Sequence, residues 1–114
     1  MIRNGGQVVY ETKGDTLVVR VGGEIDHHSA VAVRVGIDEK ISAERPGRVL
    51  LELSRVDFMD SSGLGLIMGR YALMQKCGGE LVLYHPSPSV LRMVRLAGME
   101  RMITILKTKE KKDA

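Results

Sequence analysis

Apolar and polar positions divide the chain into short alternating runs and longer helical stripes. Val8 to Thr12 and Thr16 to Val21 are β-branched and apolar, and the intervening Lys13-Gly14-Asp15 supplies a glycine for a tight connection with positive φ. A hairpin is predicted. Val49, Leu51 and Leu53 alternate on one face of a third strand starting near Arg48, and Leu81 to Tyr84 and Met102 to Leu106 form two further apolar runs. Between them, Leu64, Ile67, Met68, Tyr71 and Ala72 recur at helical spacing, with Lys76 and Gly78-Gly79 as the C-terminal stop. Ser87 followed by Pro88 reads as an N-cap with proline at the first helical position, after which Val90, Leu91, Val94 and Ala97 share a face up to Gly98.

The segment from His27 to Ala43 satisfies two periods at once. Val31, Val33, Val35 and Ile37 alternate as in a half-buried strand, while Ala30, Val33, Ile37 and Ile41 form a helical stripe. Its length before Arg45-Pro46-Gly47 exceeds that of an ordinary strand and favours a helix rich in β-branched residues. Strands alternating with helices after an initial hairpin predict an α/β domain with a mixed, mostly parallel sheet of four or five strands. No internal repeat or linker interrupts the pattern.

Composition narrows the class. A chain of 114 residues with 44% hydrophobic and 27% charged residues has the size and balance of one globular domain. Its apolar runs, such as Leu64 to Met68, are far shorter than the roughly 20 residues of a membrane-crossing helix, and no leader peptide is evident, so a cytoplasmic protein is expected. The single cysteine, Cys77, makes no internal disulfide and fits a reducing compartment; a buried thiol is expected. The net charge of +3 is concentrated at the end, where the last eight residues hold four Lys against Glu110 and Asp113. The body is nearly neutral, with 13 basic and 12 acidic residues, which argues against binding to nucleic acid and leaves 107–114 as a basic solvated tail.

Phe58-Met59-Asp60-Ser61-Ser62-Gly63-Leu64-Gly65 carries the most chemical information, because it places two hydroxyls between a strand and the start of a helix. The first amides of a helix lack internal partners and face the positive end of its dipole, so either a cap oxygen or a phosphate is stabilised there. On the local pattern alone, capping by Asp60, Ser61 or Ser62 is favoured. Gly63, Gly65 and Gly69 have the wrong spacing for a dinucleotide fingerprint, and no phosphate-binding loop with Gly-Lys-Ser/Thr is present. Ser61 and Ser62 lack the flanking glycines of a nucleophile elbow, although His27, His28 or His85 are formal candidates for a base. His27 and His28 are sequence neighbours and do not face one point on a helix, so no metal site is expected. Asp26 can cap the helix they open, and Met68, Met74, Met93, Met99 and Met102 are expected to fill core gaps.

Gly23-Glu24-Ile25-Asp26-His27-His28-Ser29-Ala30, together with Phe58 to Gly65, Gly69-Arg70-Tyr71 and Gly78-Gly79-Glu80, resembles the anti-sigma-factor antagonists of spore-forming bacteria, members of the STAS domain family. The likeness spans about Val8 to Leu106 and is greatest to antagonists of the forespore sigma factor F. It implies a single STAS domain over 1–114, with a hairpin leading into the mixed sheet and about four helices around it, and it makes His27 to Ala43 helical. It further implies a protein that is not an enzyme and takes no cofactor. Its unmodified form binds an anti-sigma factor that is also a serine kinase, with ATP held by that partner, and so releases the sigma factor. Ser61 matches the serine the kinase modifies, Ser62 is its neighbour, and a metal-dependent serine phosphatase restores the hydroxyl. Asp26, His27, Asp60, Ser61, Ser62, Gly63, Leu64 and Gly65 match the partner-binding region. Two alternatives stay open: a general-stress antagonist of the same family, and a small-molecule or nucleotide binder that holds a phosphate at the Asp60 to Gly65 turn.

Overall fold

The predicted hairpin forms from β1 (Gln7–Lys13) and β2 (Thr16–Ile25), paired antiparallel about a Gly14-Asp15 turn in which Gly14 has φ +61°. The computed structural model describes residues 7–107; the N-terminal six residues and 108–114, most of the Lys-rich tail, lie outside the described residues. After the hairpin the chain alternates: α1 (His27–Glu44), β3 (Arg48–Met59), α2 (Ser61–Lys76), β4 (Glu80–Tyr84), α3 (Pro88–Leu96) and β5 (Thr104–Leu106). The sheet order is β1-β2-β3-β4-β5, and each pair after the hairpin is parallel. Parallel neighbours need long crossovers, and the three α-helices supply them. The expectation of about four helices is corrected to three α-helices among the described residues, with Met99–Arg101 only a 3-10 turn.

Helix α1 resolves the double period of its sequence. Ser29, Ala30, Val33, Ile37 and Ile41 are buried, whereas Val31 and Val35 are 43% and 42% exposed, so half of the apparent strand alternation points to solvent. The sheet contributes Leu17, Val19 and Val21 from β2, Val49, Leu51 and Leu53 from β3, and Leu81 and Leu83 from β4 to the same core cluster. Fully burying a side chain of this kind stabilises by about 1.5–3 kcal/mol relative to exposure.

In β3 the burial period changes from two to three, with Leu53, Val56 and Met59 all inward. Irregularities in its pairing with β2, between Arg20 and Gly22 and between Gly23 and Glu24, leave β3 with extra residues that re-aim its end. Helix α2 is likewise rotated from its expected face. Gly63, Leu66, Ile67, Arg70 and Met74 are buried, Leu64, Met68 and Tyr71 only partly so, and Ala72 is exposed. The reason is contact at the first turn: a Cβ on Gly63 would overlap Met59 Cγ and Sδ, so the helix packs glycine-first onto the strand ends.

Other expectations need correction. The last strand begins at Thr104 rather than Met102, and Met102, 48% exposed, ends the 3-10 turn instead of filling the core as Met74 and Met99 do. Ala97 is exposed at the end of α3, after the buried Val90 and Val94. Cys77 is exposed, because it occupies the C-cap of α2 just before Gly78 takes φ +81°. No helix among the described residues is long and apolar enough to cross a membrane.

Candidate functional site

Parallel pairing brings the motif residues together at one end of the sheet, where β2 and β3 finish side by side. Ile25 at the end of β2 is the register partner of Met59 at the end of β3, and the Asp60 N–H donates to the Ile25 carbonyl at 3.2 Å. Each strand is followed by one aspartate and then a helix, so the N-termini of α1 and α2 sit side by side.

Asp26 caps α1. Its Oδ1 accepts the Ser29 N–H at 2.9 Å, while the Ser29 hydroxyl accepts the Asp26 N–H at 2.9 Å and lies 2.9 Å from the Glu24 carbonyl, to which it donates. This is a reciprocal capping box, with Ser29 buried beneath it. The Ser29 N–H, first among several contacts, holds the Asp26 carboxyl below its ordinary pKa, against the opposing effect of burial. Ser29 was not singled out in the sequence, although an Asp three residues before a Ser at a helix start is a readable sign of such a box.

Asp60 caps α2 by accepting the Ser62 N–H at 2.8 Å, and its carbonyl accepts the Gly63 N–H at 2.9 Å. The cap is therefore the aspartate and neither serine. Ser61, the first helical residue, is exposed, and its hydroxyl makes no hydrogen bond among the described residues; Ser62 is half-buried. Gly63 is buried against the strand ends, Leu64 is partly buried and Gly65 is exposed. Phe58, 51% exposed, flanks the turn.

His27 and His28 are exposed, their rings 6.4 Å apart and tilted by 39°. His85, with φ +50°, follows β4, and its N–H donates to the Leu106 carbonyl at 2.6 Å. Among the described residues no histidine hydrogen-bonds to Ser61 or Ser62, and no group of three His, Cys, Asp or Glu is placed to hold a metal ion. The sequence reading also passed over Arg34 and the chemistry of Arg70, which line a groove between α1 and α2 continuing from His27 and Ser62. A buried arginine in an apolar helix stripe carries no periodic signal.

Comparison with known proteins agrees with this fold. The STAS domain profile matches residues 7–112. An anti-sigma F factor antagonist of Paenibacillus polymyxa is 38% identical over 99 residues, covering 87% of this chain and 85% of that protein. An anti-sigma-B factor antagonist of Bacillus subtilis is 35% identical over 89 residues, covering 76% and 78% respectively. The anti-sigma factor antagonist SpoIIAA, in its unphosphorylated form, superposes with a TM-score of 0.78 at 30% identity over 94% of each chain. The phosphorylated form of SpoIIAA from Bacillus gives a TM-score of 0.73 at 29% identity, covering 94% of this chain and 97% of that one.

Proposed function

Because the chain belongs to the STAS domain family, we propose that it works as an anti-sigma-factor antagonist whose docking is switched at Ser61. As a single STAS domain with its core over about 8–106, it binds an anti-sigma serine kinase through the Asp26 and His27 loop, the Asp60 to Gly65 turn and the adjoining part of α2. The sigma factor, sigma F of sporulation, is thereby released. The kinase, using its own bound ATP, phosphorylates Ser61, and a metal-dependent phosphatase removes the phosphate. The chain catalyses neither step and works in the cytoplasm.

The observation that carries this reading is the division of labour at the start of α2. Asp60 performs the structural task, which leaves the Ser61 hydroxyl exposed and unused by the fold. A phosphate there adds about −1.5 to −2 charge without removing a cap. In the free protein the helix terminus offsets part of its repulsion with Asp60, by about 0.3–1 kcal/mol. In a docked complex the dianion must lose water against the partner, at a cost of several kcal/mol. Moving a complex from nearly all bound to nearly all free takes about 5.5 kcal/mol, within reach of charge burial and beyond the roughly 1 kcal/mol of one lost neutral hydrogen bond. Association fails while the fold persists.

The test is incubation with anti-sigma kinase and ATP followed by site mapping by mass spectrometry. A single phosphate on Ser61, absent in Ser61→Ala, is expected; a phosphate on Ser62 or elsewhere contradicts the assignment. The 35% identity to an anti-sigma-B factor antagonist supports a second reading, general-stress control. Parallel titration with anti-sigma F and anti-sigma-B factors separates the two, with preference for the former expected.

A further inference from the structure

The groove between α1 and α2 starts at this site and follows both helices for about 10 Å, with a volume near 320 Å3. On the α2 side it is lined by Ser62, Gly65 and Gly69, on the α1 side by His27, Val31 and Arg34. Gly65 and Gly69 differ from Gly63 in a telling way. A Cβ added at either meets nothing within 4 Å, so the packing of this chain requires neither, yet glycine inside a helix is less stable there than alanine.

An independent feature of the same groove is Arg70, only 7% exposed. Its Nε lies 3.0 Å from Asp38 Oδ1 but off the hydrogen-bonding line, and Nε and Nη1 have no hydrogen-bond partner among the described residues. Burial pulls the Arg70 pKa down, the Asp38 charge opposes this, and the nearby Arg34 charge lowers it further. Arg34 has no ion pair among the described residues, and no carboxylate lines the groove there. Two guanidinium charges thus lie near one another behind a strip of bare helix backbone, and only Arg70 is paired with a carboxylate, Asp38.

We propose that this groove seats a helix of the anti-sigma partner, drawn close against Gly65 and Gly69 and presenting an aspartate or glutamate to Arg34, with Arg70 behind it. The proposal rests on the antagonist reading and extends the interface beyond the Asp60 to Gly65 turn. The occupant follows from complementarity. Absent side chains allow close backbone approach, exposed Val31 offers an apolar wall, and Arg34, exposed and without an ion pair among the described residues, takes a carboxylate in a charge-assisted hydrogen bond with the buried Arg70 charge behind it. A phosphate on Ser61 then places like charge at the mouth of a groove that receives an acid, reinforcing release.

Calorimetric titration of the full chain with purified anti-sigma F or anti-sigma-B factor, whichever wild type binds, tests this. The variants are Gly65→Ala/Gly69→Ala, Gly69→Leu and Arg34→Glu, with Ser61→Asp as control. The double alanine variant is expected to melt above wild type. Gly69→Leu and Arg34→Glu each weaken binding tenfold or more, and an Arg34→Lys variant recovers most of the loss. Wild-type affinity in Gly69→Leu and Arg34→Glu, with Ser61→Asp still impaired, overturns the groove and leaves the antagonist reading standing. A lower melting temperature for the double alanine variant overturns the premise that the glycines serve docking, and failure of wild type to bind either factor removes both readings.

Discussion

The N-termini of α1 and α2 are nearly the same structure put to different use. Asp26 and Asp60 have almost identical cap geometry, with φ and ψ of −111° and −171° in one and −103° and −166° in the other, and each follows the end of a parallel strand. At α1 the companion serine closes the box: the Ser29 hydroxyl is buried and engaged with Asp26 and Glu24. At α2 the box is left open, because the serines come first and second in the helix, too early to reach back, and Ser61 faces water. One hydroxyl is consumed by the fold and the other is surplus to it. A regulatory group belongs on the second kind, since changing it leaves the fold in place.

Breaking the closed box has the largest expected effect. Ser29→Ala leaves the Asp26 N–H without its partner near a buried position, and a loss of about 1–3 kcal/mol is expected in urea unfolding. Asp60→Ala removes a cap with only one side-chain bond, and about 1 kcal/mol is expected to be lost in the same assay. Ser61→Ala removes nothing the fold uses, so its unfolding free energy is expected within about 0.5 kcal/mol of wild type. Equal losses in Ser29→Ala and Ser61→Ala break the distinction between the two helix starts.

Acid sharpens it further. The Asp26 carboxyl has a lowered pKa in the folded state, so its contribution is complete above the ordinary carboxylate range and fades as pH falls through the folded value, below about pH 4. In a thermal melt series from pH 6 to 3, Asp26→Asn is expected to flatten that part of the stability loss.

Much of the fold was legible because its elements are strongly punctuated. Gly14 marks the hairpin, Ser87-Pro88 opens α3, and Gly78-Gly79 closes α2. The candidates Asp26 and Ser61 stand out in the sequence through a motif, whereas the capping partnership at Asp60 is visible only in the fold, since Asp60, Ser61 and Ser62 are all competent caps on local chemistry. The rotation of α2 was hidden for a different reason: it turns on Gly63 and Arg70, one without a side chain and the other charged, and an apolar periodicity registers neither. In α1, β-branched residues on both faces produced a false strand alternation that only the buried set Val33, Ile37 and Ile41 resolves. Met102 and Cys77 were misplaced because they terminate elements, where hydrophobicity says little about depth.

The decisive measurement compares the affinity of the bare and Ser61-phosphorylated proteins for the same purified anti-sigma kinase, with circular dichroism on both forms. Binding weakened by about 10⁴-fold, equivalent to roughly 5.5 kcal/mol, with unchanged spectra is the expected result. Equal affinity of the two forms, or loss of binding accompanied by unfolding, contradicts a switch that acts at the interface.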